Sequence, residues 1–181
     1  MAILSVPNTG LEIQDPSEIQ SYLNRLGIYF AQWHCEVIFQ DEATQEEILE
    51  AYSKDLLPFM EKGAYQTADV ISIHAATPNY DAIRAKFLAE HIHTEDEIRF
   101  FVDGKGLFWF NLEGQAVFNL LCERGDLISV PAGTKHWFDA GATNPFVKAI
   151  RIFTDMSGWT PHYTEAGTEL QFSDFKFPTR G

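Results

Sequence analysis

The sequence contains little of what several protein classes require. Only two of its 181 residues are cysteines, too few for the disulfide framework of a small secreted domain. No apolar run approaches the roughly eighteen residues that a transmembrane helix needs. The first residues also lack the basic and apolar regions of a secretory signal. We therefore expect a cytoplasmic protein.

Basic residues are scarce as well. The chain has 13 lysines and arginines against 26 acidic residues, which gives a formal net charge of -13 and a pI near 4.7. Such a charge repels phosphate backbones and anionic lipid, so we expect neither a nucleic-acid nor a membrane partner. No linker, internal repeat or low-complexity tract divides the chain, and we expect one domain over residues 1–181 that exists as a monomer.

Helix signals concentrate in residues 15–62. Asp15 with Pro16 has the pattern of an N-cap followed by a first helical residue, and Gly27 is a suitable end for that helix. Thr44 and Glu47 form the sequence pattern of a capping box before a second helical stretch. These signals predict two or three helices ahead of the rest of the fold, with a further short one after residues 77–79.

Strand signals dominate from Asp69 to about residue 155. Short apolar runs are separated by Gly-containing turns, among them Asp103–Gly106, Glu113–Gly114 and Arg124–Gly125. Even spacing of this kind is typical of an antiparallel sandwich or barrel. We therefore predict a mainly β fold with a barrel core over about 69–155, flanking helices, and a tail over about 162–181 that lacks periodicity.

One histidine-rich stretch has the spacing of a metal site. His91 and His93 point the same way on a strand, and Glu97 joins them if pairing resumes after a short turn. About forty residues later, a turn, a buried strand and a second turn lead to His136. Three imidazoles and a carboxylate suit a divalent first-row transition metal and leave coordination positions open for a substrate.

The flanking residues support a catalytic ion over a structural one. A structural zinc site is normally closed by four ligands rich in cysteine, and this set has none. Arg99 is expected to face the same cavity with a permanent positive charge, which suits a dianionic substrate. Glu90 and Asp96 flank the ligands, where solvated carboxylates and hydrogen-bond acceptors for the ligands remain open alternatives.

The two motifs resemble those of a known superfamily. HxHxxxExR followed by GDxxxxPxGxxH is similar to the metal-binding motifs of cupins. The longer stretches EHIHTEDEIRFFVDGKGLFWF, LCERGDLISVPAGTKHWFDAG and AIRIFTDMSGWTP resemble the acireductone dioxygenases of methionine salvage. The resemblance covers most of Asp69 to Pro161 and is weak in the N-terminal third.

This resemblance implies a double-sheet jelly-roll barrel that holds one Fe2+ or Ni2+ per chain through His91, His93, Glu97 and His136. It implies that Arg99 helps to form and hold the substrate dianion, that Glu90 serves metal incorporation, and that Asp96 relays conformational change. The implied substrates are O2 and 1,2-dihydroxy-5-(methylthio)pent-1-en-3-one. The Fe2+ form is expected to give formate and 4-methylthio-2-oxobutanoate, and the Ni2+ form formate, carbon monoxide and 3-methylthiopropanoate.

Aromatic residues near the motifs are candidates for an apolar pocket around a methylthio tail. They are Phe87, Phe101, Phe108, Trp137, Phe138 and Trp159. Taken singly, a residue of this kind more often has an ordinary place in the core.

Two other kinds of function remain open. One is a different cupin enzyme, such as another dioxygenase or a sugar-phosphate isomerase, although an isomerase would want several basic residues and only Arg99 and Lys135 are evident near the motifs. The other is a non-catalytic binding or storage module. Such modules commonly lose metal ligands, whereas the full set stands here.

Overall fold

A computed structural model describes residues 1–34, 37–40, 42–155 and 160–178 of the chain. These residues form eleven strands: β1 Ile3–Val6, β2 Leu11–Ile13, β3 Tyr29–Gln32, β4 Thr67–His74, β5 His91–Ile92, β6 Glu97–Phe110, β7 Phe118–Glu123, β8 Asp126–Val130, β9 His136–Asp139, β10 Phe146–Phe153 and β11 His162–Tyr163. They also form four α-helices, α1 Pro16–Asn24, α2 Gln45–Ala51, α3 Ser53–Gly63 and α4 Tyr80–Leu88, and a 3-10 helix, Thr168–Phe172.

All strand pairs are antiparallel, and the strands build two sheets that share β6. The first sheet has the order β11-β5-β9-β6-β7-β1-β2, and the second has the order β3-β8-β6-β10-β4. The inner faces of the two sheets enclose one apolar interior. The predicted fold class, a mainly β jelly-roll barrel with flanking helices, is confirmed.

Strand β6 runs through a position at which the sequence predicts a turn, so that prediction is wrong. The sequence predicts a chain reversal at Asp103–Gly106, but the structure continues through it as one strand of 14 residues. Its first half pairs with β8 and β10, and its second half with β7 and β9. Gly104 has a positive φ of 72°, and the register against β10 shifts between Lys148 and Ala149. Glycine therefore lets the strand bend from one sheet into the other instead of turning back.

The predicted helix caps are present. The Asp15 carboxylate accepts hydrogen bonds from the backbone N–H groups of Ser17 and Glu18 at the start of α1. Thr44 and Glu47 form the reciprocal capping box of α2. Both caps satisfy backbone donors that the first turn of a helix leaves without partners. None of the helices in the described residues is both long and apolar enough to cross a membrane.

Three apolar layers hold the fold together. The barrel interior is formed by side chains from both sheets, including Phe101, Phe108 and Phe138. Helices α2 and α3 cover the outer face of the second sheet, where Phe100 is buried against Tyr52. The outer face of the first sheet carries the third layer, and residues from the C-terminal segment cover it.

The structure of the C-terminal segment also differs from the sequence-based prediction. The sequence predicts only a tail after residue 162, but β11 pairs with β5, and Phe172 and Phe175 pack on Trp109 at ring-centroid distances of 4.8 and 4.9 Å. These contacts come from isolated aromatic residues without a regular period, so pattern analysis does not reveal them. The segment is therefore part of the packed barrel wall.

Candidate metal centre

Three strand ends bring the predicted ligands together. His91 lies on β5 with His93 just after it, Glu97 begins β6, and His136 begins β9. His91 and His136 are direct cross-strand partners. One ligand atom from each of the four residues lies within 4.8 Å of the others, and all four residues are buried. Residues separated by some forty-five positions in the chain thus form one metal-binding site.

The imidazole rings are oriented alike. In each histidine the Nδ1 atom lies against a backbone carbonyl oxygen: Ala89 for His91 at 2.7 Å, Thr160 for His93 at 3.0 Å and Thr134 for His136 at 2.8 Å. A carbonyl oxygen only accepts hydrogen bonds, so each Nδ1 donates. The neutral ring then carries its lone pair on Nε2, which is the arrangement of a metal-ligating histidine.

The spacing of the ligand atoms also fits a metal. Oε2 of Glu97 lies 3.1 Å from Nε2 of His93 and 2.9 Å from Nε2 of His136. With only Nδ1 protonated, these nitrogens and the carboxylate are acceptors that face one another, and a cation between them would satisfy all three. Neighbouring ligands at about 2.1 Å from an octahedral ion are separated by roughly 3 Å. The donor set and its spacing therefore suit a divalent ion.

The local environment keeps Glu97 ionised and His91 neutral. Burial opposes ionisation of Glu97, yet the guanidinium of Arg99 holds the pKa of its carboxyl well below the usual value. Burial and the neighbouring His136 lower the pKa of His91 to about 4, so that this ring is neutral near pH 7. Burial also opposes charge on His93, but its contact with Glu97 raises the pKa of that ring.

Arg99 lies beside the ligands, as the alternation along β6 predicts. Its Nη2 donates to Oε1 of Glu97 at 2.8 Å, and its guanidinium carbon is 4.4 Å from the centre of the Phe138 ring. Burial, with a further contribution from nearby Arg151, lowers the pKa of its guanidinium. A buried positive charge thus faces the same cavity as the metal ligands.

A cavity of about 180 Å³ opens onto this centre. Its walls include Phe87 and Phe138, two of the aromatic residues predicted for a pocket. Phe101 faces the barrel interior but packs deeper, against Phe108. Trp137 points to the opposite face of β9, where it stacks on Trp109, because neighbouring residues of a strand alternate between faces. Trp137 and Phe101 therefore do not line this cavity, and Trp159 lies outside the described residues.

Further wall residues were not predicted from the sequence. They are Ile71, Lys86, Arg151, Pro161 and Tyr163. Arg151 has one sequence signal, because it and Lys148 are the two charged residues of the otherwise apolar strand β10. The others come from elements with no common motif. Lys135, the second basic residue noted near the motifs, is exposed and is not among the lining residues.

The two flanking carboxylates join the ligand segments to other parts of the barrel. Glu90 is only 2% exposed and accepts hydrogen bonds from Asn111 and Thr164. Asp96 accepts one from the backbone N–H of Ala132, in the turn before His136, and one from the Tyr65 hydroxyl at 3.2 Å. Both carboxylates have several protein donors, so neither is a simple solvated surface charge.

A larger groove of about 780 Å³ lies elsewhere, between the Asp139–Asn144 region and the C-terminal segment. Its walls carry acidic and basic side chains in similar numbers, and it contains none of the four ligands. Size alone therefore does not locate the reactive centre. The convergence of buried ligands and a buried arginine does.

Comparison with known proteins agrees with this geometry. Residues 8–161 match the ARD/ARD' family. The chain is 59% identical over 160 residues to acireductone dioxygenase of Picosynechococcus sp., covering 88% of this chain and 90% of that one. It is 43% identical to the enzyme of Parvibaculum lavamentivorans, covering 92% and 89%. Acireductone dioxygenase from Bacillus anthracis, solved with a cadmium ion in its active centre, superposes with a TM-score of 0.81 at 33% identity, covering 90% of this chain and 98% of that one.

Proposed function

The chain belongs to the ARD/ARD' family, whose relatives named above are acireductone dioxygenases, and from this premise we propose how its site works. The enzyme cleaves 1,2-dihydroxy-5-(methylthio)pent-1-en-3-one with O2, in methionine salvage. One Fe2+ or Ni2+ per chain is held by His91, His93, Glu97 and His136. The observation that carries the proposal is the convergence of these four buried ligands beside Arg99.

When bound by these four residues, the ion would supply a Lewis acid beside the substrate. The substrate binds as an enediolate, and Arg99 favours the doubly deprotonated form because its guanidinium is a buried cation with fixed geometry. The Oε1 atom of Glu97 accepts a hydrogen bond from that guanidinium, and its Oε2 atom faces the histidines. The electron-rich dianion then reacts with O2.

The apolar part of the cavity accounts for the other end of the substrate. Phe87 and Phe138 meet edge to face with their ring centres 6.1 Å apart, and Ile71 and Pro161 lie among the same walls. These side chains offer a dry surface for the methylthio tail. The same surface excludes water from the reacting carbon atoms.

The choice between iron and nickel tests the proposal directly. We expect protein stripped of metal and reloaded with Fe2+ to convert acireductone and O2 into formate and 4-methylthio-2-oxobutanoate. Reloading with Ni2+ is expected to give formate, carbon monoxide and 3-methylthiopropanoate. Product analysis by mass spectrometry and carbon monoxide detection measures both outcomes. Absence of turnover with either ion, while zinc binds tightly, contradicts the dioxygenase proposal.

The cavity also explains how a strongly acidic protein receives an anionic substrate. The net charge of -13 repels anions at a distance. The charged side chains that line the cavity are instead three cations, Lys86, Arg99 and Arg151, and one carboxylate, Glu97. Glu97 pairs with Arg99, and Asp69 pairs with Arg151. The positive charge of Lys86 remains as the excess charge of the cavity, and such an excess raises the rate at which oppositely charged ligands arrive. We propose that Lys86, the exposed member of this group, assists substrate capture.

Replacing Lys86 by Gln is therefore expected to lower kcat/KM about three- to ten-fold at low ionic strength, with little change in kcat. The deficit should shrink as salt screens the cavity. Lys62→Gln is the matched control, because it removes the same charge from an exposed position on α3 that does not line the cavity. Equal losses of kcat/KM in both variants would mean that the net charge of the protein, and not the position of Lys86, determines the rate of substrate capture.

Finer parts of the proposal rest on the family resemblance. Glu90 serves metal incorporation, and Asp96 relays movement between the ligand segments; the hydrogen bonds of Asp96 to Ala132 and Tyr65 support the second role. We further propose that the enzyme works as a monomer in the cytoplasm, without nucleic-acid or membrane partners. The acidic composition and the scarcity of cysteine support that view.

A further inference from the structure

The strand that carries His91 is very short. β5 spans two residues, forms one residue pair with β9 and two with β11. β11 itself is only two residues long. Few backbone hydrogen bonds therefore fix the position of this ligand strand. Its side chains must contribute the remaining anchorage.

The side chain of Glu90 anchors the strand that carries His91. It precedes His91, and alternation along the strand directs it to the outer face, opposite the metal cavity. Its carboxylate is buried and accepts from Nδ2 of Asn111 at 2.7 Å and from Oγ1 of Thr164 at 2.5 Å. The Thr164 backbone N–H also donates to the Glu90 carbonyl oxygen at 3.0 Å. A buried carboxylate with two side-chain donors has little freedom to move.

Asn111 connects this anchor to a second ligand. Its backbone N–H donates to the carbonyl oxygen of Lys135 at 3.0 Å, and Lys135 directly precedes His136. One asparagine at the end of β6 thus contacts the residues that precede two of the histidine ligands. Thr164 belongs to the C-terminal segment. Just before that segment, the carbonyl oxygen of Thr160 accepts a hydrogen bond from Nδ1 of His93.

From these contacts we propose that Asn111 and Thr164 are positioning residues that clamp Glu90, hold the His91 strand in place, and thereby slow the release of the bound divalent ion. Neither residue touches the ligand atoms. Both act through Glu90, so their loss is expected to change metal retention before it changes the chemistry of a loaded site. This inference rests on the metal-binding part of the proposed function and extends it to residues outside the motifs.

The test measures release of Ni2+ from the loaded full-length protein into excess chelator, with no substrate present. Thr164→Val keeps the backbone hydrogen bond and the shape of the side chain but removes the hydroxyl donor. We expect release about ten-fold faster than in the parent protein, in line with the loss of a partner beyond the ligands. Thr164→Ser restores the donor and is expected to restore slow release.

A matched control and a second variant separate positioning from general stability. Thr168→Val makes the same substitution in the same segment, at a hydroxyl that contacts Asn111 but not Glu90, and is expected to leave the release rate unchanged. Asn111→Leu removes the other donor and should accelerate release as Thr164→Val does. Melting temperatures of the metal-free proteins show whether any variant is simply unfolded.

Release rates of Thr164→Val and Asn111→Leu within two-fold of the parent protein would overturn the proposal. So would a Thr164→Ser protein that releases metal as fast as the valine variant. Because the assay uses Ni2+ alone, these outcomes do not depend on turnover. A protein that retains Ni2+ through this clamp but fails to cleave acireductone would instead disprove the proposed function.

Discussion

Replacement of Arg99 by Leu is expected to lower kcat for acireductone at least about 100-fold, the usual cost of removing one preorganised charge-stabilising donor. Arg99 is 4% exposed, so no solvent cation replaces it when the substrate loses its second proton. Leucine keeps apolar contact with Phe138 but supplies no charge. Under anaerobic conditions the ultraviolet shift that marks the bound dianion should be absent in this variant.

Metal content distinguishes this role from a structural one. Arg99 also donates to Glu97, and it helps to keep the pKa of that carboxyl low. A cation held between Glu97 and the Nε2 atoms of His93 and His136 still favours ionised Glu97 in the variant, so we expect its metal content to match that of the parent protein. Loss of metal in Arg99→Leu would show that the arginine serves the ligand set instead of the substrate.

Arg84→Leu is the matched control for Arg99→Leu. Arg84 forms a two-point pair with Asp139 at 2.7 and 2.8 Å, and it is partly buried, but it does not line the metal cavity. Its loss removes a comparable arginine–carboxylate contact from the same barrel. Turnover per bound metal in this variant should therefore stay close to that of the parent protein.

Replacement of His136 by Ala is expected to abolish both metal retention and turnover. His136 is 1% exposed, and its Nε2 lies 2.9 Å from Glu97, so alanine removes one ligand and leaves the buried carboxylate without one neighbour. Loss of a residue that merely supports a ligand costs about 10- to 100-fold in metal affinity, and loss of the ligand itself should cost more. Elemental analysis of purified protein measures the effect.

His34→Ala provides the comparison for His136→Ala. His34 is an exposed histidine outside the ligand cluster, and its loss should leave metal content and turnover unchanged. If His136→Ala retained a full complement of metal, the ion would have to be bound without the second motif. The assignment of the centre would then fail.

The ligands were predictable from the sequence because their spacing reflects local rules. A spacing of two positions places His91 and His93 on one face of the strand, and a short turn returns Glu97 and Arg99 to that face. The caps at Asp15 and Thr44 follow similarly short-range chemistry. In these cases the deciding contacts are a few positions apart, whereas His136 lies forty-five positions from His91 and is predicted by the second motif.

The surroundings of the centre depend on contacts between distant segments. Trp137 was a reasonable pocket candidate by proximity to His136, yet strand alternation and the aromatic layer under Phe172 place it on the outer face. The role of Thr160 and Thr164 as partners of His93 and Glu90 has no local signature, since it arises from the path of a segment about seventy residues farther along the chain. Tertiary packing alone determines such contacts.

Strand β6 gives the centre a mechanical property. Since one continuous strand belongs to both sheets, the halves of the barrel cannot hinge apart while β6 remains paired on both sides. Motions that separate the two sheets must then disrupt the strand that carries Glu97 and Arg99, and we expect them to be as rare as the opening of other core strands. We therefore expect substrate, oxygen and products to enter and leave through the mouth of the cavity.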